Sequence, residues 1–160
     1  MARTGVGPAS GGVDGTTVRA LLVLAVALAV PVASAADDPA YLRSNARLAK
    51  AVPHYPRARV LVEEAIGGEV GSVPYEAVQR ISFLARPQTQ GAVMRFYGRK
   101  LGLRWRRQGV CFVSGTRLVV VLVSTPRRRL GVLVDSRGSR RCYGLAGILG
   151  DLLGVGYPSY

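Results

Sequence analysis

The chain has 160 residues, with 22 Lys and Arg against 9 Asp and Glu, a net charge of +13, one histidine and two cysteines. That length suits one compact domain, able to bury a core without extra cross-links. So few histidines, cysteines and acids leave too few ligands to argue for a metal centre, and no motif commits the chain to a reaction or a cofactor.

Arg3 and Arg19 precede an apolar run over 20–32, which ends in Ala33-Ser34-Ala35 with Asp37 and Asp38 just beyond. A positive region, an apolar stretch and a small-x-small end spell a secretory signal peptide over 1–35. The rival is an uncleaved membrane anchor. As a helix, 20–36 would span about 25 Å, short of the ~30 Å hydrocarbon core, and Pro31 interrupts it. On both readings the remaining chain is expected outside the cytoplasm, secreted or tethered. Without Arg3, Arg19 and Asp14 the exported part keeps 20 cations, all arginine except Lys50 and Lys100, against 8 acids. That balance suits an anionic partner such as a wall polymer or a membrane surface, and export argues against nucleic acid. Codon bias in a GC-rich genome is the bland account of the same arginines.

Asp38 as N-cap and Pro39 at the first helical position predict a helix ending before Pro53. Its apolar side is read as Tyr41, Leu42, Ala46, Leu48, Ala49 and Val52, with Arg43, Arg47 and Lys50 in water. Pro53-His54-Tyr55-Pro56 reads as a rigid linker. Strands are expected at 59–64 and 78–85, separated by a Gly-rich turn over 67–74. Thr89 then caps a second helix to Leu101, stopped by Gly102. Further strands are expected at 103–107, 110–114, 117–124 and 130–135. Residues 118–123 are apolar throughout and so belong to a central strand covered on both faces. A short helix over 145–153, weakened by Gly144, Gly147 and Gly150, closes the domain.

This order gives an α+β fold: a mostly antiparallel sheet with a helix packed on one face, preceded by an N-terminal helix. The units are a signal segment over 1–35, a helix and Pro-rich linker over 36–56, the α+β domain over 57–153, and a surface tail over 154–160. Cys111 and Cys142 are the only thiols, and in an oxidising compartment they read as a disulfide closing a loop of about 30 residues.

Asn45-Ala46-Arg47-Leu48 followed by Pro53-x-Tyr55-Pro56-x-Ala58 resembles the opening of a group of uncharacterised secreted proteins from GC-rich bacteria. Val93-x-x-Phe96-Tyr97-x-x-x-Leu101-x-x-x-Trp105 is similar to their second signature, and Phe112-x-x-Gly115 with Val132-x-Val134-Asp135 to their closing strands. The likeness covers residues 41–135. It implies export and the order of elements, and it implies no activity. The Cys111/Cys142 pair and the apolar tail after Tyr143 depart from it.

Catalytic constellations are missing. His54 stands between two prolines, and Glu63 and Glu64 are strand neighbours that point to opposite faces, so they cannot form a two-carboxylate site. These features favour a non-catalytic, extracytoplasmic basic domain that associates with anionic cell-envelope components. The alternatives are a protein–protein interaction module of the envelope and a cryptic envelope hydrolase; oligomeric state is not legible. In an antiparallel meander the first and third turns share one end of the sheet. On that basis Arg106, Arg107, Arg127, Arg128 and Arg129 are expected to form the principal anion-binding surface, with Arg117, Arg137, Arg140 and Arg141 at the other end.

Overall fold

The computed structural model describes residues 38–156. The signal peptide or anchor read over 1–35 and the last residues of the tail lie outside the described residues. The described part contains α1 (Pro39–Ala51), β1 (Ala58–Val70), β2 (Val73–Leu84), α2 (Gln90–Leu101), β3 (Arg106–Gln108), β4 (Cys111–Ser114), β5 (Arg117–Ser124), β6 (Arg129–Asp135) and α3 (Cys142–Leu153). The six strands form one antiparallel sheet in the order β1-β2-β6-β5-β4-β3. The expected α+β class holds, with α1 and α2 on one face and α3 on the other.

The alternation of side chains along β5 builds both cores at once. Val119 and Val121 pack with Val93, Met94 and Tyr97 of α2 and Leu48 of α1. Leu118, Val120 and Leu122 pack with Leu145, Ala146, Leu149 and Leu153 of α3. Each of these valines and leucines of β5 is at most 4% exposed, as expected of a central strand covered on both faces.

Local signals set the first two helices. The Asp38 carboxylate accepts from the Ala40 and Tyr41 amides, Pro39 occupies the first turn, and Val52 ends α1. Thr89 caps α2, accepting from the Ala92 amide, and Gly102 at φ +80° stops it. The buried face of α1 is rotated from the expected one. Leu42 and Ala46 are exposed, while Asn45 is 1% exposed. Asn45 is buried because it is satisfied: its Nδ2 donates to the Glu76 carbonyl (3.1 Å) and its Oδ1 accepts from the Ser136 amide (2.7 Å).

Three further boundaries differ from expectation. The first hairpin does not turn over 67–74; β1 continues through Gly67 and Gly68 to Val70, and the turn is Gly71-Ser72. Tyr75 lies opposite Gly68 with its ring about where a side chain there would sit, so the cross-strand aromatic covers the glycine. The strand expected at 103–107 shrinks to β3, with Leu103 and Arg104 left in a turn. Finally, α3 starts at Cys142 rather than 145. Its glycines cost helix propensity, but Gly147 and Gly150 are buried, and the helix lies so close to β6 that a Cβ on Gly131 would meet Leu149 Cδ1 at 2.7 Å. Gly154 at φ +64° ends it, with paired bonds from the Gly154 amide to Asp151 and from the Val155 amide to Gly150.

The α1–β1 linker holds one strained residue. Pro56 and Arg57 are the central pair of a turn closed by the Ala58 amide on the Tyr55 carbonyl (3.1 Å), and Arg57 sits at φ +57°. An L-residue pays for that region where glycine does not, so Arg57→Gly should raise stability by about 0.5–1 kcal/mol, read as a higher urea midpoint at unchanged slope.

Candidate functional site

The richest concentration of polar chemistry lies where β5 begins and β6 ends. The loop 136–141 between β6 and α3 carries Arg137, Arg140 and Arg141 and is held from several sides. Thr116 Oγ1 donates to the Ser136 carbonyl (2.8 Å), the Ser139 amide donates to the Thr116 carbonyl (3.0 Å), and the Arg141 amide donates to Gly138 (2.8 Å). Just beyond, Cys142 is disulfide-bonded to Cys111 of β4 with a Cα–Cα distance of 6.0 Å, as the sequence led one to expect.

Asp135 is the pivot beneath this loop. It is fully buried, and its Oδ1 accepts from the Tyr41 hydroxyl (2.6 Å) and the Arg137 amide (2.7 Å), while Arg141 Nη1 lies 3.6 Å from Oδ2. Burial raises the Asp135 carboxyl above its ordinary range against the pull of these donors. Burial and the neighbouring carboxylate push the Tyr41 phenol up to about 12, so it remains a donor at neutral pH. Arg137 lies over the Tyr41 ring (4.5 Å) and pairs with Asp38 (2.9 Å), and Arg141 also donates to the Pro74 carbonyl (3.0 Å). Two of the three arginines are thus held in place. Arg140, exposed, makes no hydrogen bond or ion pair among the described residues.

These arginines border a groove of about 750 Å³. One wall is polar, from Thr116 and Ser139. The other is apolar: Val70 and Val73 at the tip of the first hairpin, and Tyr143 in the first turn of α3. Val73 and Tyr143 are 51% and 55% exposed. The hairpin reaches the groove because Gly144 has no side chain; a Cβ there would collide with Val70 Cγ1. The first turn of α3 has neither a capping side chain nor an acid, so its amides and dipole add to the positive field. Chemically, this is a concave site for an anionic group joined to an apolar body.

The surface expected from Arg106, Arg107 and Arg127–Arg129 is not assembled. Arg106 pairs with Val113, which pairs with Leu118, so it lies level with the start of β5. Arg129 pairs with Ser124, six residues further along, roughly 20 Å away at ~3.3 Å per residue. Arg107 donates to the Gly109 carbonyl (3.1 Å). Arg127 donates to the Leu153 carbonyl (3.2 Å) at the C-terminus of α3, where the dipole favours a cation, and Arg128 stacks over Phe83 (4.5 Å). Arg129 is an exposed strand residue. The other expected cluster does place Arg137, Arg140 and Arg141 together, while Arg117 lines a separate pocket against α1. What sequence reasoning missed was the apolar wall, since nothing local brings Val70 and Val73 to Tyr143.

Of the remaining candidates, Glu63 pairs with Arg80 (2.7 Å) and lies within electrostatic reach of His54, exposed in the α1–β1 linker, while Glu64 accepts from Gln79 (2.6 Å). No group of three or more metal-ligating side chains occurs, and no helix is long and apolar enough to cross a membrane, among the described residues. Comparison with protein families, with curated proteins and with solved structures finds no match for this chain.

Proposed function

We propose that this protein is a non-catalytic, extracytoplasmic binding module, and that it associates with anionic components of the cell envelope through the groove between α3, the loop 136–141 and the first hairpin. The observation that carries this reading is the pairing, in one concavity, of three arginines with the exposed apolar wall of Val70, Val73 and Tyr143. A phosphate-bearing lipid offers both halves: an anion for the guanidinium forks and an apolar body for the wall. Arg137 and Arg141 are pre-positioned by Asp38, Asp135 and Pro74, which lowers the ordering cost of binding, and Arg140 is left to engage the ligand.

The test is calorimetric titration of the full chain with dihexanoyl-phosphatidylglycerol below its micelle concentration, with dihexanoyl-phosphatidylcholine as the zwitterionic control. Arg140→Gln should weaken the anionic lipid about ten-fold, the share of one charge-assisted hydrogen bond. Arg95→Gln, which removes the same charge from the exposed side of α2, should cost less than about two-fold. Equal losses from the two variants would mean that only net charge matters and would reject the groove.

A second reading, a protein-interaction module, draws on β1. This 13-residue edge strand exposes Val60, Leu61 and Val62 at 37%, 42% and 41%. It ranks second because a register shift between Val60 and Val62 breaks the regular edge on which another strand would pair.

A further inference from the structure

A second concavity lies on the other side of the same two segments. Ser44, Arg47, Leu48 and Ala51 of α1, Arg117 at the start of β5 and Ser136 line a pocket of about 240 Å³. It shares no residue with the arginine groove. We propose that this pocket is a compact oxyanion site that takes a single phosphoryl group, independently of the groove.

Three observations converge on it. The first is charge. Arg47 and Arg117 are both exposed, neither guanidinium has an ion pair or hydrogen bond among the described residues, and no acid lines the pocket. Two cations brought to one concavity without a carboxylate repel each other until an anion joins them. Their planar forks match the paired oxygens of a phosphoryl group.

The second is geometry. Ser44 and Arg47 stand three residues apart on α1 and therefore share a face. Thr116 and Arg117 are chain neighbours, as are Ser136 and Arg137; in each pair one residue lines the groove and the other the pocket. The bonds that hold the loop for the groove thus hold the pocket too.

The third is an unsatisfied group. Ser136 is 7% exposed, and its backbone is fixed by the Asn45 side chain at the amide (2.7 Å) and Thr116 at the carbonyl (2.8 Å). Its hydroxyl, buried, has no hydrogen-bond partner. A buried donor without an acceptor is costly, and alanine would serve packing better. An anion seated in the pocket that Ser136 lines would supply the acceptor that the protein does not. With Ser44 at the rim, the site offers two hydroxyl donors and two guanidinium groups. Its size suits one phosphoryl group with a few waters.

Free phosphate and a phosphomonoester end group present the same chemistry. The experiment therefore titrates the isotopically labelled full chain with inorganic phosphate in one arm and glycerol 3-phosphate in the other, with chloride holding ionic strength constant. Saturable shifts of the Ser44, Arg47, Arg117 and Ser136 amides are expected in at least one arm. Saturation by glycerol 3-phosphate alone would support the site with an esterified ligand. Arg47→Gln and Arg117→Gln should each weaken binding about ten-fold. Arg140→Gln, in the groove, should change it by less than about two-fold. Ser136→Ala should weaken binding several-fold while raising the melting temperature, whereas a hydroxyl with a purely structural role would leave the affinity unmoved. The proposal is overturned if neither arm saturates, or if neither Arg47→Gln nor Arg117→Gln changes the binding. Either result leaves the groove to be judged by Arg140→Gln with the anionic lipid.

Discussion

Arg80→Ala is expected to be among the most destabilising single substitutions in this protein, at about 3 kcal/mol, the lower end for loss of one partner from a buried ion pair. Arg80 is 5% exposed and joins three elements. Its Nε donates to Glu63 of β1 (2.7 Å), Nη1 to the Val52 carbonyl (3.1 Å) and Nη2 to the Ala49 carbonyl (2.9 Å). The guanidinium thus closes the C-terminus of α1, where free carbonyls attract a cation, and fastens that helix to the β1–β2 hairpin. The Glu63 side chain is 36% exposed and can rehydrate, which keeps the cost at the lower end. Against a total stability of ~5–15 kcal/mol this is a large share. Arg80→Lys should lose less, since one ammonium keeps the charge but cannot span all three acceptors.

The pair also has a pH signature. The hydrogen bond and charge of Arg80 hold the Glu63 carboxyl below its ordinary value of 4.5. The folded state therefore binds the Glu63 proton less readily than the unfolded chain. The stability this contributes is fully present above the unfolded pKa and is lost as pH falls through the lower folded value. In Arg80→Ala that contribution is absent at every pH. The difference in urea midpoint between the two proteins should accordingly narrow as pH drops below about 4.5. A difference that stays constant down to the acid limit would show that Arg80 acts through the α1 carbonyls alone.

The second large effect is expected from the disulfide. Replacing Cys111 and Cys142 together by alanine should cost about 3–4 kcal/mol in the chain-entropy account, for a sequence separation of 31. Cys111 is fully buried and Cys142 is 5% exposed, both in the core beneath α3, so alanine leaves little strain. The loss should also be local. The bond ties the first residue of α3 to β4; without it the loop 136–141 is held only by non-covalent contacts, chiefly to Thr116, Asp135, Asn45, Asp38 and Pro74. Amide exchange should accelerate first at the start of α3, while α2, which packs on the other face, keeps its protection. A uniform acceleration across both helices would show that the disulfide acts only on the unfolded chain.

Much of this fold was legible because its signals are local. Asp38 and Pro39 start α1, Thr89 and Gly102 bracket α2, and an unbroken apolar run marks β5; each acts through its own few residues of backbone. The disulfide was legible by elimination, since only two thiols exist.

What only the tertiary structure decided depends on partners distant in the chain. Gly67 and Gly68 read as a turn, yet they are strand residues, paired with Glu76 and Tyr75 across the ladder, with the Tyr75 ring lying over Gly68. Asn45 reads as a polar helix position, yet it is core, because Glu76 and Ser136 satisfy it. Gly144 reads as a helix weakener, yet it makes room for Val70 at the hairpin tip, and Gly131 of β6 lets α3 lie against the sheet. Above all, the arginines could be counted but not placed. Composition alone set the charge, and register set which arginines share a surface. Because β3 pairs along only the first half of the meander, Arg106 lies level with Leu118 and far from Arg129. A strand's register is set by its hydrophobic pattern, its turns and its cross-strand partners together, so the groove at Arg137–Arg141 emerged only with the assembled sheet.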